Sequence, residues 1–354
     1  VKRININYFV DLMKKVLITG GAGFISHHII AHIIKNTDWQ IVTIDRLDIS
    51  GNLNRLHEIL EQFSIDEKKR LKIVFHDLKA EINSQISSEI GKPDLILHLA
   101  AASHVDRSIL YPMEFVQDNV VGTVNLLDFA KKLDKLERFV YFSTDEIFGN
   151  APKGVSYKEY DRYNSTNPYS ASKAAAEEFC VAYENTYKLP IYITHTMNVF
   201  GERQHPEKFI PMVIQRVRDG QKVFVHSNEE KTLAGSRHYI HAQDVADGLM
   251  FILNLKNYKH QGDFGNASCP KFNLVGPEEI DNLTLAQSIA KIQNKDLIYE
   301  LIDNHSSRPG HDLRYSLDPG LLKSLGWEPK IKLTKRIEEV VNWSLKNKHW
   351  LSQN

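Results

Sequence analysis

The 354-residue sequence contains only two cysteines, Cys180 and Cys269, and neither stands at a metal-ligand spacing. This scarcity excludes a disulfide framework and is typical of a reducing compartment, so we expect a cytoplasmic protein. An excess of one charge sign is also absent, because 44 basic residues balance 44 acidic ones. We therefore expect no nucleic-acid partner. Long apolar runs are missing as well, which predicts no membrane partner.

Metal-binding patterns are likewise absent, since the histidines show no ligand spacing, and we expect no metal site. What the sequence does contain is an ordinary globular composition, with 25% charged and 42% hydrophobic residues. The length allows one large domain or two smaller ones. Because Met13-Lys14-Lys15 is a natural start before the first strand, we interpret residues 1–13 as an optional N-terminal extension.

Short β-branched runs alternate with amphipathic helical stretches up to about residue 200. Alternation of this kind indicates right-handed βαβ units, and so an α/β fold with a Rossmann-type doubly wound parallel sheet over residues 14–200. The predicted strands are 16–18, 41–44, 73–75, 95–99, 139–142 and 191–194. The predicted helices are 24–35, 114–133 and 170–188.

After Gly201 the pattern changes to shorter elements joined by loops that contain proline and glycine. This change predicts a smaller C-terminal α/β cap, formed mainly by residues 201–354, over the carboxyl ends of the parallel strands. Segments near 237–254 are expected to return to the first domain. The helices predicted here are 209–219, 242–253, 283–294 and 333–347, with an isolated strand at 222–225.

A glycine-rich turn, Thr19 to Ser26, lies between the first strand and the first helix. In that context Gly20 and Gly23 would bring backbone N–H groups and a positive helix end to a dinucleotide pyrophosphate. A simple structural turn is the alternative. Asp45 closes the second strand and would bind the adenine ribose, favouring NAD, whereas Arg46 keeps NADP possible. Further predicted cofactor contacts are Phe24, Ile25, Asp77, Leu78, Leu99, Ala100 and Ala101.

The segment Ser143 to Gly149 places a hydroxyl and two adjacent carboxylates at the end of a predicted buried strand. Open α/β sheets carry their chemistry at such strand ends. Like charges so close push their pKa values apart, which suggests that Asp145 and Glu146 act as an acid and a base beside Thr144. A polar strand exit with a capping Asp is the alternative for this heptapeptide alone.

Tyr169 and Lys173 stand four residues apart at the start of a predicted helix, so both project from one face. An ammonium near a phenol favours the phenolate, which would make Tyr169 a base near neutral pH. The same pair is common on helix surfaces. Here it follows the glycine turn and the carboxylate pair in the order that a dehydrogenase fold requires.

With Gly20 to Gly23, Tyr169 and Lys173 in place, the chain resembles the extended short-chain dehydrogenases/reductases. Within them, Thr144-Asp145-Glu146 is similar to the signature of nucleoside-diphosphate-glucose 4,6-dehydratases. Longer stretches carry the resemblance along nearly the whole chain, namely HLAAASHVDRS at 98–108, NPYSASK at 167–173, NVFGERQHPEKFIP at 198–211 and RPGHDLRY at 308–315.

The resemblance implies an NAD-dependent lyase that converts a nucleoside-diphosphate-glucose, with dTDP-glucose expected first, to its 4-keto-6-deoxy form. Tyr169, with Lys173 and Thr144, would deprotonate the C4 hydroxyl as hydride passes to NAD. Glu146 would then remove the C5 proton and Asp145 protonate the leaving C6 hydroxyl, before hydride returns to C6. The implied substrate contacts are Ser103, Asn198, Lys208, Arg237, Asn273, Arg308 and His311. Helices 114–133 and 170–188 would pair with their copies in a homodimer.

The chain departs from the family pattern in three places. Ala102 replaces a Glu or Gln, and Val199 replaces the second of two asparagines. Residues 226–236 form a longer segment, and Arg237-His238-Tyr239 replaces the usual Arg-Asp-Trp; because the resemblance implies that this region faces the nucleotide, it leaves the base of the substrate open. UDP- or other nucleotide-linked hexoses are therefore alternatives. So are a sugar-nucleotide epimerase or decarboxylase, which would not need both carboxylates, and a non-catalytic NAD-binding module.

Overall fold

The computed structural model describes residues 13–255, 258, 269–303 and 312–352. Its centre is a sheet of seven strands, β1 (Lys15–Thr19), β2 (Gln40–Asp45), β3 (Leu71–Phe75), β4 (Leu95–His98), β5 (Arg138–Thr144), β6 (Ile191–Thr196) and β11 (Lys271–Leu274). All seven strands are parallel, and their order across the sheet is β11-β6-β5-β4-β1-β2-β3. The predicted doubly wound parallel sheet is confirmed.

Helices cover both faces of the sheet, which explains why its strands are apolar at successive positions. Side chains of β1 alternate between two cores, with Val16 and Ile18 in one and Leu17 in the other. The flanking helices before residue 200 are α1 (Phe24–Asn36), α2 (Leu53–Leu60), α3 (Ile65–Lys68), α4 (Ser84–Ile90), α5 (Val105–Leu110), α6 (Pro112–Phe115), α7 (Gly122–Ala130) and α8 (Pro168–Tyr187).

The six strands predicted before residue 200 are confirmed, each within two residues of its observed ends. The helix predicted over 114–133 is confirmed as one helical stretch over 112–130, in which α6, a π-helical segment (Val116–Val121) and α7 follow one another without a break. Strand β11 was not predicted. It is only four residues long, and its partner β6 lies about 80 residues earlier in the chain, so nothing local indicates their pairing.

A second core lies among the later elements and includes Val213, Ile289 and Val340, one from each of three helices. Besides β11, the elements that follow β6 are β7 (Val199–Phe200), α9 (Phe209–Arg218), β8 (Val223–Ser227), β9 (Ser236–His238), β10 (Ile240–His241), α10 (Ala242–Leu253), β12 (Glu279–Asp281), α11 (Asn282–Ile292), β13 (Tyr299–Asp303), α12 (Gly320–Leu325) and α13 (Leu333–Lys346).

The later elements do not all pack in this second core. Leu249 of α10 shares the first sheet core with Ile29 of α1, and Leu322 of α12 lies in that core as well. The domain boundary at residue 200 stays a prediction. Among the residues described, no helix has the length and the apolarity that crossing a bilayer requires.

Candidate active site

One cleft runs along the carboxyl ends of the parallel strands, where open α/β sheets bind ligands. It is lined by the ends of β1, β2, β4, β5 and β6 and by the start of α8. The structure brings all the predicted catalytic and cofactor residues to this cleft, namely Gly20, Gly23, Phe24, Ile25, Asp45, Arg46, Asp77, Leu78, Leu99, Ala100, Ala101, Thr144, Asp145, Glu146, Tyr169 and Lys173.

The glycine turn has the shape of a dinucleotide cradle. Gly20 has a φ of +71°, and a Cβ there would lie 3.0 Å from Ala100 Cα. A Cβ on Gly23 would lie 2.8 Å from the Gly20 carbonyl oxygen, so both positions require glycine. Helix α1 begins with no side-chain cap, which leaves its first N–H groups for an anion. The residues present therefore fit a pyrophosphate.

Asp45 fixes this turn to the end of β2. Its carboxylate is buried and accepts hydrogen bonds from the backbone N–H groups of Ala22 (2.9 Å) and Leu47 (2.7 Å). Because Ala22 belongs to the glycine turn, the contact couples that turn to the adjacent strand end. A carboxylate held in this way is pre-organised beside the place where the sequence predicts the adenine ribose.

Thr144 ends β5 and starts a short 3₁₀ helix, Asp145–Phe148, that carries both carboxylates. Its Oγ1 accepts a hydrogen bond from the Glu146 N–H (3.3 Å) and donates one to Asp145 Oδ1 (3.1 Å). The other Asp145 oxygen, Oδ2, is buried and has no hydrogen-bond partner within the described part of the chain. An acid with one free buried oxygen is a suitable place for a transferable proton.

The two carboxyl groups have raised pKa values. Burial, with a smaller contribution from Glu146, raises the pKa of Asp145 to about 7. Burial also raises the pKa of Glu146, and this rise is opposed by a hydrogen bond from Asn167 Nδ2 (3.4 Å) and by the charges of Arg237 and Lys208. Asp145 therefore keeps its proton in about half of the molecules at neutral pH, while three neighbouring groups limit the rise in the pKa of Glu146.

Tyr169 and Lys173 lie on the first turns of α8, which Asn167 caps by accepting the Ser170 N–H (2.9 Å). Lys173 Nζ donates to the Phe142 carbonyl (2.5 Å), and burial lowers its pKa to about 8. The predicted lowering of the Tyr169 pKa by Lys173 is not observed. Burial and the Glu146 charge raise the Tyr169 pKa instead, and the hydrogen bond with Thr144 is what opposes the rise.

Of the predicted substrate contacts, Ser103, Asn198 and Lys208 line the cleft. Asn273 does not, and its prediction is corrected. Its side chain is buried, and the amide contacts His195 Nδ1 (3.0 Å) and donates to the carbonyl oxygens of Tyr157 (3.1 Å) and Asp318 (3.2 Å). These contacts turn the amide into the core behind β6. Arg308 and His311 lie outside the described residues.

Arg237 is also absent from the cleft lining. Its guanidinium donates to the carbonyl oxygens of Ser236 (2.7 Å), Leu313 (2.6 Å) and Asp312 (2.8 Å), and it lies 4.6 Å from the centre of the Tyr315 ring. These bonds give it a structural role that the sequence did not indicate. Its charge still acts on the cleft, because it opposes the rise in the pKa of both Asp145 and Glu146.

The departures from the family pattern lie in different places. The backbone of Ala102 is held by the Asn119 side chain, whose Oδ1 accepts the Ala102 N–H (2.8 Å) and whose Nδ2 donates to the Ala102 carbonyl (3.0 Å). Val199 lines the cleft and pairs with Ile240 in β7 and β10. None of residues 226–239 lines it. The longer segment therefore lies away from the cleft lining, and its residues 229–233 are exposed.

Sequence reasoning missed several side chains that hold this site together. Asn119 also donates to Ser172 Oγ (2.8 Å), so it ties the π-helical segment to α8. Asn167 reaches Glu146, and Asp118 pairs with Arg46 at 2.5 Å. The cap position of Asn167 was readable before Pro168. The contacts with Glu146 and Arg46 were not, since they join residues 21 and 72 positions apart.

Comparison with known proteins gives a consistent result. The profile of the family described as GDP-mannose 4,6 dehydratase matches residues 17–340. A dTDP-glucose 4,6-dehydratase of Escherichia coli is 34% identical, with 95% of each chain covered. A trifunctional Arabidopsis thaliana protein whose first-named activity is UDP-glucose 4,6-dehydratase is 33% identical over 95% of this chain and 48% of its own. The structure of dTDP-glucose 4,6-dehydratase DesIV from Streptomyces venezuelae, with NAD and TYD bound, has a TM-score of 0.81 and 30% identity, covering 95% of this chain and 98% of that one.

Proposed function

This chain belongs to the GDP-mannose 4,6 dehydratase family, and from that premise we propose that it is an NAD-dependent lyase that removes water from a nucleoside-diphosphate-glucose. The product is the 4-keto-6-deoxy sugar nucleotide. We propose dTDP-glucose as the substrate, because the Escherichia coli relative and the Streptomyces venezuelae structure are both dTDP-glucose 4,6-dehydratases. UDP-glucose is the alternative that the Arabidopsis thaliana relative supports.

The observation that carries the proposal is the pair of adjacent carboxyl groups beside Thr144 and Tyr169, of which Asp145 is buried and Glu146 is half-buried. Elimination of water across C5 and C6 needs a base for the C5 proton and an acid for the C6 hydroxyl. Since its pKa is about 7, Asp145 is about half protonated at neutral pH and serves as the acid. Glu146, whose ionised form Asn167 favours, serves as the base.

The glycine turn and Asp45 would hold NAD, with Ala100 and Ala101 lying where small residues let a flat ring approach the backbone. When bound, NAD supplies an acceptor for the C4 hydride and returns that hydride to C6. The related structure from Streptomyces venezuelae contains NAD, which supports this cofactor. The fit rests on the close approach of Gly20 to Ala100 and on the uncapped start of α1.

The remaining steps belong to side chains of this protein. Tyr169 is the proposed acceptor of the C4 hydroxyl proton. Because burial raises its pKa, the phenol must first ionise, and the hydrogen bond with Thr144 opposes that rise in pKa. Lys173 contributes positive charge in a buried site, since its pKa of about 8 leaves most of it protonated at neutral pH. Ser103, Asn198 and Lys208 are proposed to contact the sugar nucleotide. Arg308 and His311 are also proposed to contact the substrate, as the family resemblance implies.

A product assay with nucleotide sugars tests the proposal. The purified chain is incubated with dTDP-, UDP-, CDP- and GDP-linked glucose or mannose, and the products are analysed by mass. Loss of one water together with a new ketone from dTDP-glucose is the expected result. Unchanged mass with inverted stereochemistry would identify an epimerase. No turnover of any donor would leave a binding module and overturn the proposal.

Substitution Glu146→Gln tests the assignment of the base. Oxidation at C4 uses Tyr169, so we expect NADH to form on substrate addition while water loss falls by a factor of about 100 or more. Absorbance of NADH and product mass report the two steps separately. Glu114→Gln is the matched control, because Glu114 lines the same cleft but is half-exposed and paired with Arg107. Normal dehydration by Glu146→Gln would refute the assignment.

We also propose that the protein forms a homodimer through the surface of α6, the π-helical segment, α7 and α8. Large apolar side chains are exposed there, including Met113, Val116 and Phe179. Phe179→Arg is expected to shift the sedimentation coefficient from dimer to monomer. Phe224→Arg is the control, since Phe224 is equally exposed but lies on β8 in the second core. A monomeric wild-type chain would refute the proposal.

A cytoplasmic location is the last part of the proposal. Cys180 and Cys269 are both buried free thiols in the structure. Retained thiols are typical of proteins in a reducing compartment. Fractionation of the source cells, with immunodetection of the chain, tests the location directly.

A further inference from the structure

We propose that Asp118 and Asp48 select the dinucleotide by saturating Arg46, so that the 2′-phosphate of NADP finds no free guanidinium at this strand end. The inference rests on the proposed function, because it takes the adenine ribose to lie beside Asp45. An arginine directly after that aspartate is the feature that could otherwise accept a 2′-phosphate. The two carboxylates would then be specificity-determining residues for NAD.

Every N–H of the Arg46 guanidinium already has an acceptor. Asp118 is bound in bidentate fashion, by Nη1 to Oδ1 (2.5 Å) and by Nη2 to Oδ2 (2.7 Å). Asp48 Oδ2 accepts from Nε (3.1 Å) and from Nη2 (2.6 Å), and Asp77 Oδ1 accepts from Nη1 (3.5 Å). A guanidinium has five N–H donors, and these five hydrogen bonds use all of them. A phosphate could bind Arg46 only by displacing a carboxylate.

The local charge also opposes a phosphate. Asp48, Asp77 and Asp118 carry three negative charges, whereas Arg46 and Lys79, which lies 3.4 Å from Asp77 and 3.8 Å from Asp118, carry two positive ones. The group is therefore left with one net negative charge. A 2′-phosphate, which carries a charge of about −1.5 to −2 at neutral pH, would add repulsion to the loss of hydrogen bonds.

Asp118 is the more decisive of the two carboxylates. Its side chain is 11% exposed, against 36% for Asp48, so its contact with Arg46 is less screened by water. It lies on the π-helical segment Val116–Val121, a geometry that often occurs at functional sites. The hydrogen bond to Asp118 is the largest cause of the raised pKa of Arg46. Asp118 thus holds the guanidinium in place and keeps it paired.

Competition between the two dinucleotides tests the inference, because NAD and NADP differ only in the 2′-phosphate. The full chain is equilibrated with equimolar NAD and NADP until the bound ratio is constant, separated from free nucleotide, and the bound dinucleotides are quantified by mass. We expect wild type to retain NAD. Asp118→Asn keeps the shape but removes one charge, and should raise the bound NADP:NAD ratio about tenfold or more.

Asp134→Asn is the matched control, since it removes one aspartate charge from an exposed pair with Lys92 outside the cleft. Its bound ratio should equal that of wild type. Asp48→Asn is the second variant and should raise the ratio by a smaller factor, which keeps the inference testable if Asp118→Asn does not fold.

An unchanged ratio in both cleft variants, with NAD still bound, would overturn the inference and leave the proposed function intact. Retention of neither dinucleotide by wild type would instead count against the proposed function. A wild-type chain that binds both dinucleotides equally would also overturn the inference, since its saturated arginine would then have no effect on selection.

Discussion

Replacing Asp145 with Asn should make the protein more stable at alkaline pH while it abolishes water elimination. Burial raises the pKa of Asp145 from 3.8 to about 7 in the folded state. Between these two pH values the folded protein therefore keeps a proton on Asp145 that the unfolded chain has lost. A raised carboxyl pKa contributes stability below about pH 4, and this contribution is lost as pH rises through about 7. Asn cannot ionise, so the Asp145→Asn variant does not lose this part of its folding stability as the pH rises.

The magnitude follows from the size of the shift. A difference of about 3 pKa units at about 1.36 kcal/mol per unit corresponds to about 4 kcal/mol of folding free energy lost between pH 4 and pH 8. The gain in the free energy of unfolding for Asp145→Asn over wild type should therefore grow by about 4 kcal/mol from pH 4 to pH 8. Most of this change should fall between pH 5 and pH 8.

Urea unfolding at pH 5, 6, 7 and 8, with the same saturating NAD in every sample, measures the effect. Asp134→Asn is the control, because it removes the same charge from an exposed pair with Lys92. Product mass on the same samples tests the accompanying loss of dehydration. If Asp145→Asn and wild type show the same dependence of stability on pH, the buried, proton-retaining state assigned to Asp145 is wrong, and so is its role as the acid.

Two further predictions concern side chains around α8. Asn167→Ala should lower the free energy of unfolding by about 1 kcal/mol, and Asn83→Ala, which removes a helix cap elsewhere, is the control with the same expected cost. Only Asn167→Ala should slow elimination and move the acidic limb of the pH–rate profile to higher pH, because Asn167 lowers the pKa of Glu146. Identical pH–rate profiles for Asn167→Ala and wild type would contradict this role of Asn167. Glu177→Gln should lower the free energy of unfolding by about 3–5 kcal/mol, because the buried Lys271 ammonium, 2.8 Å away, loses its counter-charge. An unchanged free energy of unfolding in urea would refute that expectation.

Much of the protein is determined by features local in the chain. The strands before residue 200 are readable because parallel strands covered on both faces are continuous apolar runs. The glycine turn is readable because Gly20 and Gly23 meet steric demands that no other residue satisfies. Thr144, Asp145 and Glu146 are neighbours in sequence, and Tyr169 and Lys173 share one helix face, so their grouping depends on no distant contact.

The tertiary structure decided whatever depends on residues that only folding brings together. Asn273 has a side chain suited to a sugar, but its position on β11 beside β6 turns the amide into the core. The sequence leaves Arg46 available for a phosphate, but in the structure its guanidinium is paired with Asp118, which lies 72 positions later in the chain. The pKa of Tyr169 rises because burial outweighs its polar neighbours. Local sequence sets side-chain type and direction, whereas burial and long-range pairing set which groups are paired and charged.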